Sequence, residues 1–259
     1  MRPELHFLAM GTTCSLFGEG DLEEGRRWVD RIASRITRFD RSSELSRLNA
    51  SNGRWSSVSP ELEEMLRASL RAFDLSGGLV NIAVLASMLA AGYARPLEHG
   101  ATAAALEDMH PAPALPDVLE VVRGSARLAP EVGIDLGGIA KGWMADRLCD
   151  RLGTRVLVNL GGDLFARGAG WAVGIAGRTY VLQDVGVATS SIRRRQWGDG
   201  MHHLIDPRTG RPAQTGIEEV SVVTATALDA EIVAKTALML GPAGAPAYCA
   251  AHADAWWLQ

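Results

Sequence analysis

The chain has 259 residues, of which 47% are hydrophobic and 22% charged, and a formal net charge of −4. That is enough apolar material for one large packed domain, and an acidic surface offers nucleic acid no general attraction. The three cysteines, Cys14, Cys149 and Cys249, stand far apart in no CxxC pattern, which argues against a zinc site or disulfide framework.

The N-terminal "MRPELHFLAMGTTCSL" carries an early acid and a polar Gly-Thr-Thr before its cysteine, so it reads as neither a signal peptide nor a lipoprotein signal. No later stretch reads as a membrane span. A cytoplasmic location without membrane insertion is the expectation.

In chain order, an apolar strand is expected from about Leu5 to Phe17. Leu22, Val29, Ile32, Ala33 and Ile36 then recur at helical spacing behind Asp21 as N-cap. "FDRSSELSRLNAS" reads as a polar segment. A second helix opens at Ser59-Pro60, places Leu62, Met65, Leu66 and Phe73 on one face, and stops at Gly77-Gly78. Ala94 to Pro116, rich in alanine and proline, reads as an irregular surface insertion or weak helix and as poor ground for function.

"VLEVVRGSARLAP" reads as a hairpin turning at Gly124-Ser125. It leads into "GIDLGGIAKGWMADR", an apolar strand, a Gly-Gly turn and a helix from about Ile139 to Leu152. "RVLVNLGGDLFARG" is a strand entering a second Gly-Gly turn, and "WAVGIA", "YVLQDVGVATSS" and "EEVSVVTATA" are further strands. "IDPRTGRP" is a turn, and Ala230 to Leu240 is an apolar helix closed by Gly241-Pro242. Strands and helices alternate irregularly, so the fold class expected is α+β rather than a doubly wound sheet. The two Gly-Gly turns after strands suggest a distant internal duplication.

Of the 26 basic residues only Lys141 and Lys235 are lysine. An arginine-biased genome explains the imbalance by itself; lysine then persists preferentially where a compact ammonium is needed and a planar guanidinium will not fit. In "IDLGGIAKG" backbone amides, a helix N-terminus and Lys141 can face an anion, although the segment matches neither GxGxxG nor the Walker pattern and also suits a plain tight connection. "HHLIDPRTGRP" sets His203 three residues before Asp206, so a base and an acid that can orient it or hold a cation share one turn. "VATSSIRRRQW" places hydroxyls beside Arg193, Arg194 and Arg195, a further phosphate clamp or a solvated loop. Glu231 and Lys235 lie one helical turn apart on a helix with almost no polar face, which predicts a partly buried pair.

Taken in order, these segments resemble the FAD:protein FMN transferase family, also called the ApbE family, from Met10 to about Pro242. The resemblance is carried by Met10-Gly11-Thr12, "SSELSRLN" ending at Asn49, Ser76-Gly77-Gly78, "DLGGIAKG" from Asp135 with Asp146 following, "VNLGGD" ending at Asp163, Ala188-Thr189-Ser190, and "HLIDPRTG" from His203. It implies a single ApbE-like (T-fold-like) domain over residues 1–259. The implied reaction consumes FAD, uses magnesium, places FMN on a Ser or Thr hydroxyl of an acceptor protein, and releases AMP. By that resemblance Met10, Ser76, Gly77, Gly78, Asp135, Lys141, Asp146, His203 and Thr209 contact FAD, and Ala140 offers its carbonyl to the metal. Splitting a diphosphate needs charge neutralisation and a base near the attacking hydroxyl, which assigns Lys141 to the phosphates and His203, with Asp206, to proton transfer.

The sequence also departs from the family pattern. Leu79-Val80-Asn81-Ile82-Ala83 replaces the usual Phe-Asp-Pro-Thr, and Thr189-Ser190-Ser191-Ile192-Arg193 replaces Thr-Ser-Gly-Asp-Tyr. Glu231 and Lys235 occupy the positions of a metal-binding Asp and Thr; Glu231 can ligate magnesium, whereas Lys235 can stand in for part of its charge. Two alternatives therefore accompany flavin transfer: a FAD-binding carrier, and a FAD pyrophosphatase giving FMN and AMP.

Overall fold

The computed structural model describes residues 3–259; Met1 and Arg2 lie outside the described residues. The chain passes between two compact units, each assembled from separate segments. The first comprises the residues up to Arg31, Ile139–Ser191 and Thr215–Gln259; the second comprises Ile32–Gly138 and Ile192–Gln214.

The chain begins with β1 (Glu4–Ala9) and β2 (Thr12–Gly18), an antiparallel hairpin where one long strand is expected from the sequence. Its two-residue loop is Met10-Gly11, with φ of 53° and 67°, the left-handed pair that matches strand twist. Methionine is an uncommon choice there, so Met-Gly gives a weaker turn signal than Asn-Gly. Helix α1 (Leu22–Ile36) follows, capped by Asp21 Oδ1 on the Glu24 amide at 2.9 Å.

The polar stretch after α1 holds a short helix, α2 (Glu44–Asn49), N-capped by Ser43 and burying Leu45 and Leu48. Strand β3 (Ser56–Ser57) precedes α3 (Pro60–Leu75), which starts at the expected Ser59 cap with proline at its first position. Then come α4 (Leu85–Ala90), two 3₁₀ turns within the alanine- and proline-rich insertion, α5 (Leu115–Val118), β4 (Leu119–Val122) and β5 (Ser125–Leu128). Strands β3, β5 and β4 form a small antiparallel sheet in that order.

Helix α6 (Ala140–Leu152) leads to β6 (Val156–Leu160), β7 (Leu164–Arg167), β8 (Trp171–Ile175), β9 (Arg178–Leu182) and β10 (Val185–Ser191). Two minute hairpins of the second unit follow, β11 (Gln196–Trp197) with β12 (Met201–His202) and β13 (Ile205–Asp206) with β14 (Arg211–Pro212). The chain closes with β15 (Glu219–Thr224), α7 (Ala227–His252) and β16 (Ala255–Leu258). The expected stop at Gly241 is a break rather than an end. Gly241 takes φ 69°, and Pro242 then opens another helical stretch.

The first unit is built on a seven-stranded antiparallel sheet in the order β1-β2-β6-β7-β10-β15-β16. Leu164, Val187 and Val223 lie in register across it and, with Leu157 and Ala166, pack beneath Trp171, Ile175 and Leu182 of the β8–β9 hairpin. Each such side chain taken from water contributes about 1.5–3 kcal/mol. Helices α6 and α7 cover sheet strands and touch each other. A Cβ at Gly186 would fall 2.1 Å from the Thr226 carbonyl carbon, so glycine alone lets the start of α7 rest on β10.

The α+β class expected from the sequence is what the chain forms. The duplication finds no support, because the Gly161-Gly162 turn closes the β6–β7 hairpin while Gly137-Gly138 follows an extended segment that is no strand and leads into a helix. Among the described residues no helix is long and apolar enough to cross a membrane.

Candidate functional site

In the first unit the two lysines of the chain meet. Lys141, on the first turn of α6, pairs through Nζ with Asp163 Oδ2 and lies 3.3 Å from Glu231 Oε1; Lys235 Nζ lies 3.5 Å from that same oxygen. The other Glu231 oxygen accepts the Gly142 amide at 2.9 Å. Glu231 is 1% exposed and Asp163 3%. Burial by itself would raise the Glu231 carboxyl; the Lys141 and Lys235 charges, with the Gly142 amide, outweigh it and hold the group below its ordinary value. The pair expected to be partly buried is therefore half of an electroneutral quartet.

Does this quartet suit the expected magnesium ion, with Glu231 and the Ala140 carbonyl as ligands? Ala140 opens α6 and is buried. A divalent ion on Glu231 Oε1 would share that oxygen with two ammoniums. At an effective dielectric near 20, a unit pair at 4 Å is worth about 4 kcal/mol, so each ammonium would repel a divalent ion by about twice that. With two ammoniums already on its Oε1, Glu231 does not fit a magnesium ion at that oxygen.

The remaining expected contacts of this unit have definite local places. Met10 sits at the strained hairpin turn, half-buried. Asp146, two turns into α6, uses both carboxylate oxygens to hold the amides of Ala227 and Leu228 at 2.7 and 3.0 Å, which fixes the N-terminus of α7. Burial pushes its carboxyl up to about 6. Thr189 shares its hydroxyl with Ser221 at 2.8 Å, while Ser190 and Ser191 are buried. Burial likewise pushes the thiols of Cys14, Cys149 and Cys249 up to about 11, about 12 and about 11, so none provides a thiolate near neutral pH.

In the second unit Asp135 is held from three sides. Its Oδ2 accepts Arg38 Nε at 2.8 Å, its Oδ1 accepts the Gly137 amide at 2.8 Å, and its own amide donates to the Ile82 carbonyl at 2.9 Å. Arg38, its side chain only 4% exposed, also donates to the Tyr93 carbonyl at 2.6 Å and stacks on the rings of Phe39 and Tyr93. One residue earlier, Ile134 exchanges two hydrogen bonds of 2.9 Å with the Asn49 side chain. Asn49 and Arg38 thus set the backbone that presents Asp135. Neither carried a role from the sequence, where Asn49 figured only as the end of a motif and Arg38 not at all.

Ser76 folds its hydroxyl into the turn after α3, accepting the Val80 amide at 2.8 Å, and Gly77 and Gly78 follow at φ 59° and 86°. At the departed position Asn81 staples its own loop, donating to the Pro113 carbonyl and accepting the Ala83 amide, each at 2.9 Å.

The "HLIDPRTG" segment runs through the β13–β14 turn. His202 is buried and bonds the Ala213 carbonyl at 3.0 Å, whereas His203, the next residue, is half-buried. Asp206 does not orient His203. Both its oxygens are taken by the Arg208 guanidinium, at 2.9 and 2.7 Å, and its carbonyl accepts the amides of Thr209 and Gly210. Thr209 is exposed, its hydroxyl accepting the Arg211 amide at 3.1 Å. The insertion that reads as poor ground for function buttresses this turn. Ala112 donates to the Pro207 carbonyl at 2.8 Å, and a Cβ at Gly210 would lie 2.1 Å from the His110 oxygen.

An antiparallel sheet with a helical layer, over which two lysines and two buried carboxylates pair, defines an α+β protein. The chain belongs to the ApbE family, whose family model matches residues 10–257. Two relatives named FAD:protein FMN transferase are 35% identical over 137 residues in Treponema pallidum and 33% over 119 residues in Klebsiella pneumoniae. These matches cover 42% and 40% of this chain and span 38% and 37% of the relatives' own length, little more than a third. The solved ApbE protein of Thermotoga maritima superposes with a TM-score of 0.87 at 22% identity, covering 100% of this chain and 94% of that one, which establishes the shared fold.

Proposed function

We propose that the chain, acting over residues 1–259 as one catalytic domain, transfers FMN from FAD to a Ser or Thr hydroxyl of an acceptor protein and releases AMP. The observation that carries this reading is the pair of lysine ammoniums gathered on Glu231 and Asp163, in a chain whose other basic residues are all arginine. Membership of a family with relatives named for this transfer supports it.

In the proposed step the acceptor oxygen attacks the phosphorus on the flavin side. A new P–O ester forms, the P–O–P anhydride breaks, and AMP departs with the bonding pair on its phosphate. The hydroxyl proton passes to His203, half-buried beside the rigid turn, whose imidazole offers a nitrogen lone pair as base. Lys141 and Lys235 meet the charge of the diphosphate. Met10, Ser76, Gly77, Gly78, Asp135, Asp146 and Thr209 hold the flavin nucleotide directly or through the backbone they fix. Asp206 serves by holding the turn. The setting is the cytoplasm, with an acceptor protein as partner, no nucleic acid and no membrane insertion.

Mass spectrometry of the protein with FAD and a Ser/Thr-bearing acceptor domain tests the reading. AMP together with an FMN-sized adduct on the acceptor is the expected result. AMP with free FMN and no adduct would instead assign a pyrophosphatase, and intact bound FAD with every acceptor a carrier.

A further inference from the structure

The quartet of the first unit is layered by depth. The side chains of Asp163 and Glu231 are 5% and 2% exposed, and those of Lys141 and Lys235 are 16% and 14% exposed. Formal charges cancel within the group, and the two lysine side chains are its more accessible members. A cation would have to displace an ammonium from carboxylates that already hold partners. An anion meets two ammoniums whose desolvation the buried carboxylates have already offset.

We propose that Lys141 and Lys235 form a two-ammonium receptor for a diphosphate, in which Lys235 brings the charge that a divalent cation would otherwise bring, so that binding needs no metal. This rests on the reading that the substrate is a dinucleotide diphosphate. Both ammoniums lie against one oxygen of Glu231, at 3.3 and 3.5 Å, which keeps them close enough for both to reach one diphosphate. Their site also lies on the first turn of the 13-residue α6, the positive end of its dipole. Lysine suits the place because a compact ammonium can donate to Glu231 and to a phosphate oxygen together, whereas the wide guanidinium fork would collide with its neighbour.

The test is calorimetric titration of the full chain with inorganic pyrophosphate and with ADP, in excess EDTA and in excess magnesium. Binding in EDTA within about threefold of that in magnesium is expected, as is a loss of about tenfold or more for Lys235→Gln in EDTA. For Lys235→Thr, magnesium should restore part of the affinity. Pyrophosphate binding by the unaltered chain in magnesium alone would overturn the proposal without reliance on any variant, as would a folded Lys235→Gln that binds normally in EDTA. Metal-free pyrophosphate binding with no AMP release from FAD would leave the receptor standing and remove the transfer reading. AMP release that needs magnesium, with no pyrophosphate binding in EDTA, would do the reverse.

Discussion

Replacing Gly142 by alanine sets two effects of opposite sign against each other. In an ordinary helix interior the change stabilises by about 1 kcal/mol. Here the new Cβ would lie 2.7 Å from the Ala227 oxygen, 2.8 Å from the Leu228 Cα and 2.9 Å from the Ala227 carbonyl carbon, all backbone atoms that cannot swing away. Relief to ordinary contact near 3.5 Å means parting α6 from α7 by about 0.7 Å, and overpacking of that kind costs about 1–3 kcal/mol. The same movement stretches the bonds crossing the seam, the Gly142 amide to Glu231 at 2.9 Å and the Asp146 carboxylate to Ala227 and Leu228 at 2.7 and 3.0 Å. A hydrogen bond to a charged group contributes about 1.5–3 kcal/mol, part of which is forfeited. The net expectation is a destabilisation of about 2–4 kcal/mol, a fall in Tm of about 5–15 °C at this chain length. Thermal and urea unfolding read it directly. Gly174→Ala, on β8 with no atom within 4 Å of its Cβ, is the control and should leave Tm nearly unchanged. A Gly142→Ala protein as stable as the parent would refute the claim that glycine is what brings Glu231 to Lys141.

The raised carboxyl of Asp146, about 6 against an ordinary 3.8, makes the folded state hold a proton more tightly than the unfolded chain. That contribution is complete below about pH 4 and is lost as pH rises through about 6, up to about 3 kcal/mol over the window. Glu231 has the opposite sign and acts below its ordinary range, while His202, lowered by burial, gains stability as pH rises toward its ordinary value, so it is the difference between the parent and Asp146→Asn urea midpoints from pH 5 to 7 that isolates Asp146. Asp146→Asn should flatten the decline there, and an unchanged slope would assign it elsewhere. Arg38→Ala should cost about 3 kcal/mol, because it leaves the Asp135 carboxylate, 17% exposed, without its main partner. Arg38→Lys should cost less, about 1–2 kcal/mol, since it keeps the charge and loses the second donor and the ring stacking. Equal losses in urea unfolding for the two variants would show that the fork geometry contributes nothing.

What the chain reveals before folding is whatever local order encodes. Helices α1 and α3 are legible because a cap and a periodic apolar face lie within a few residues of each other, Ser59 with Leu62, Met65 and Leu66 being the clearest case, and α6 is legible from the Gly-Gly turn that precedes it. Helix α2 is not legible, since two buried leucines in six residues make no period. Strand β16 escapes notice because it follows a long helix and pairs with β15 only by returning to the sheet edge. The second unit's turn is visible as Asp206-Pro207-Arg208-Thr209, but its support at His110 and Ala112 is about a hundred residues distant.

The quartet shows the same division. Glu231 and Lys235 could be read as a buried pair because their neighbours Ile232, Val233 and Ala234 leave no solvated side, a fact of spacing alone. Asp163 could not be assigned its role, although it lies in the quoted "VNLGGD" run, because its partner sits 22 positions away on another element. One signal was present. An acid stands between Leu160 and Leu164, both buried, in a strand-turn-strand whose other charge, Arg167, lies at the far end of β7 and pairs with Asp150, and such an acid requires a cation from elsewhere. Arginines could also answer it, as Arg38 answers Asp135, so the sequence alone names no partner, and the fold places Lys141 on Asp163.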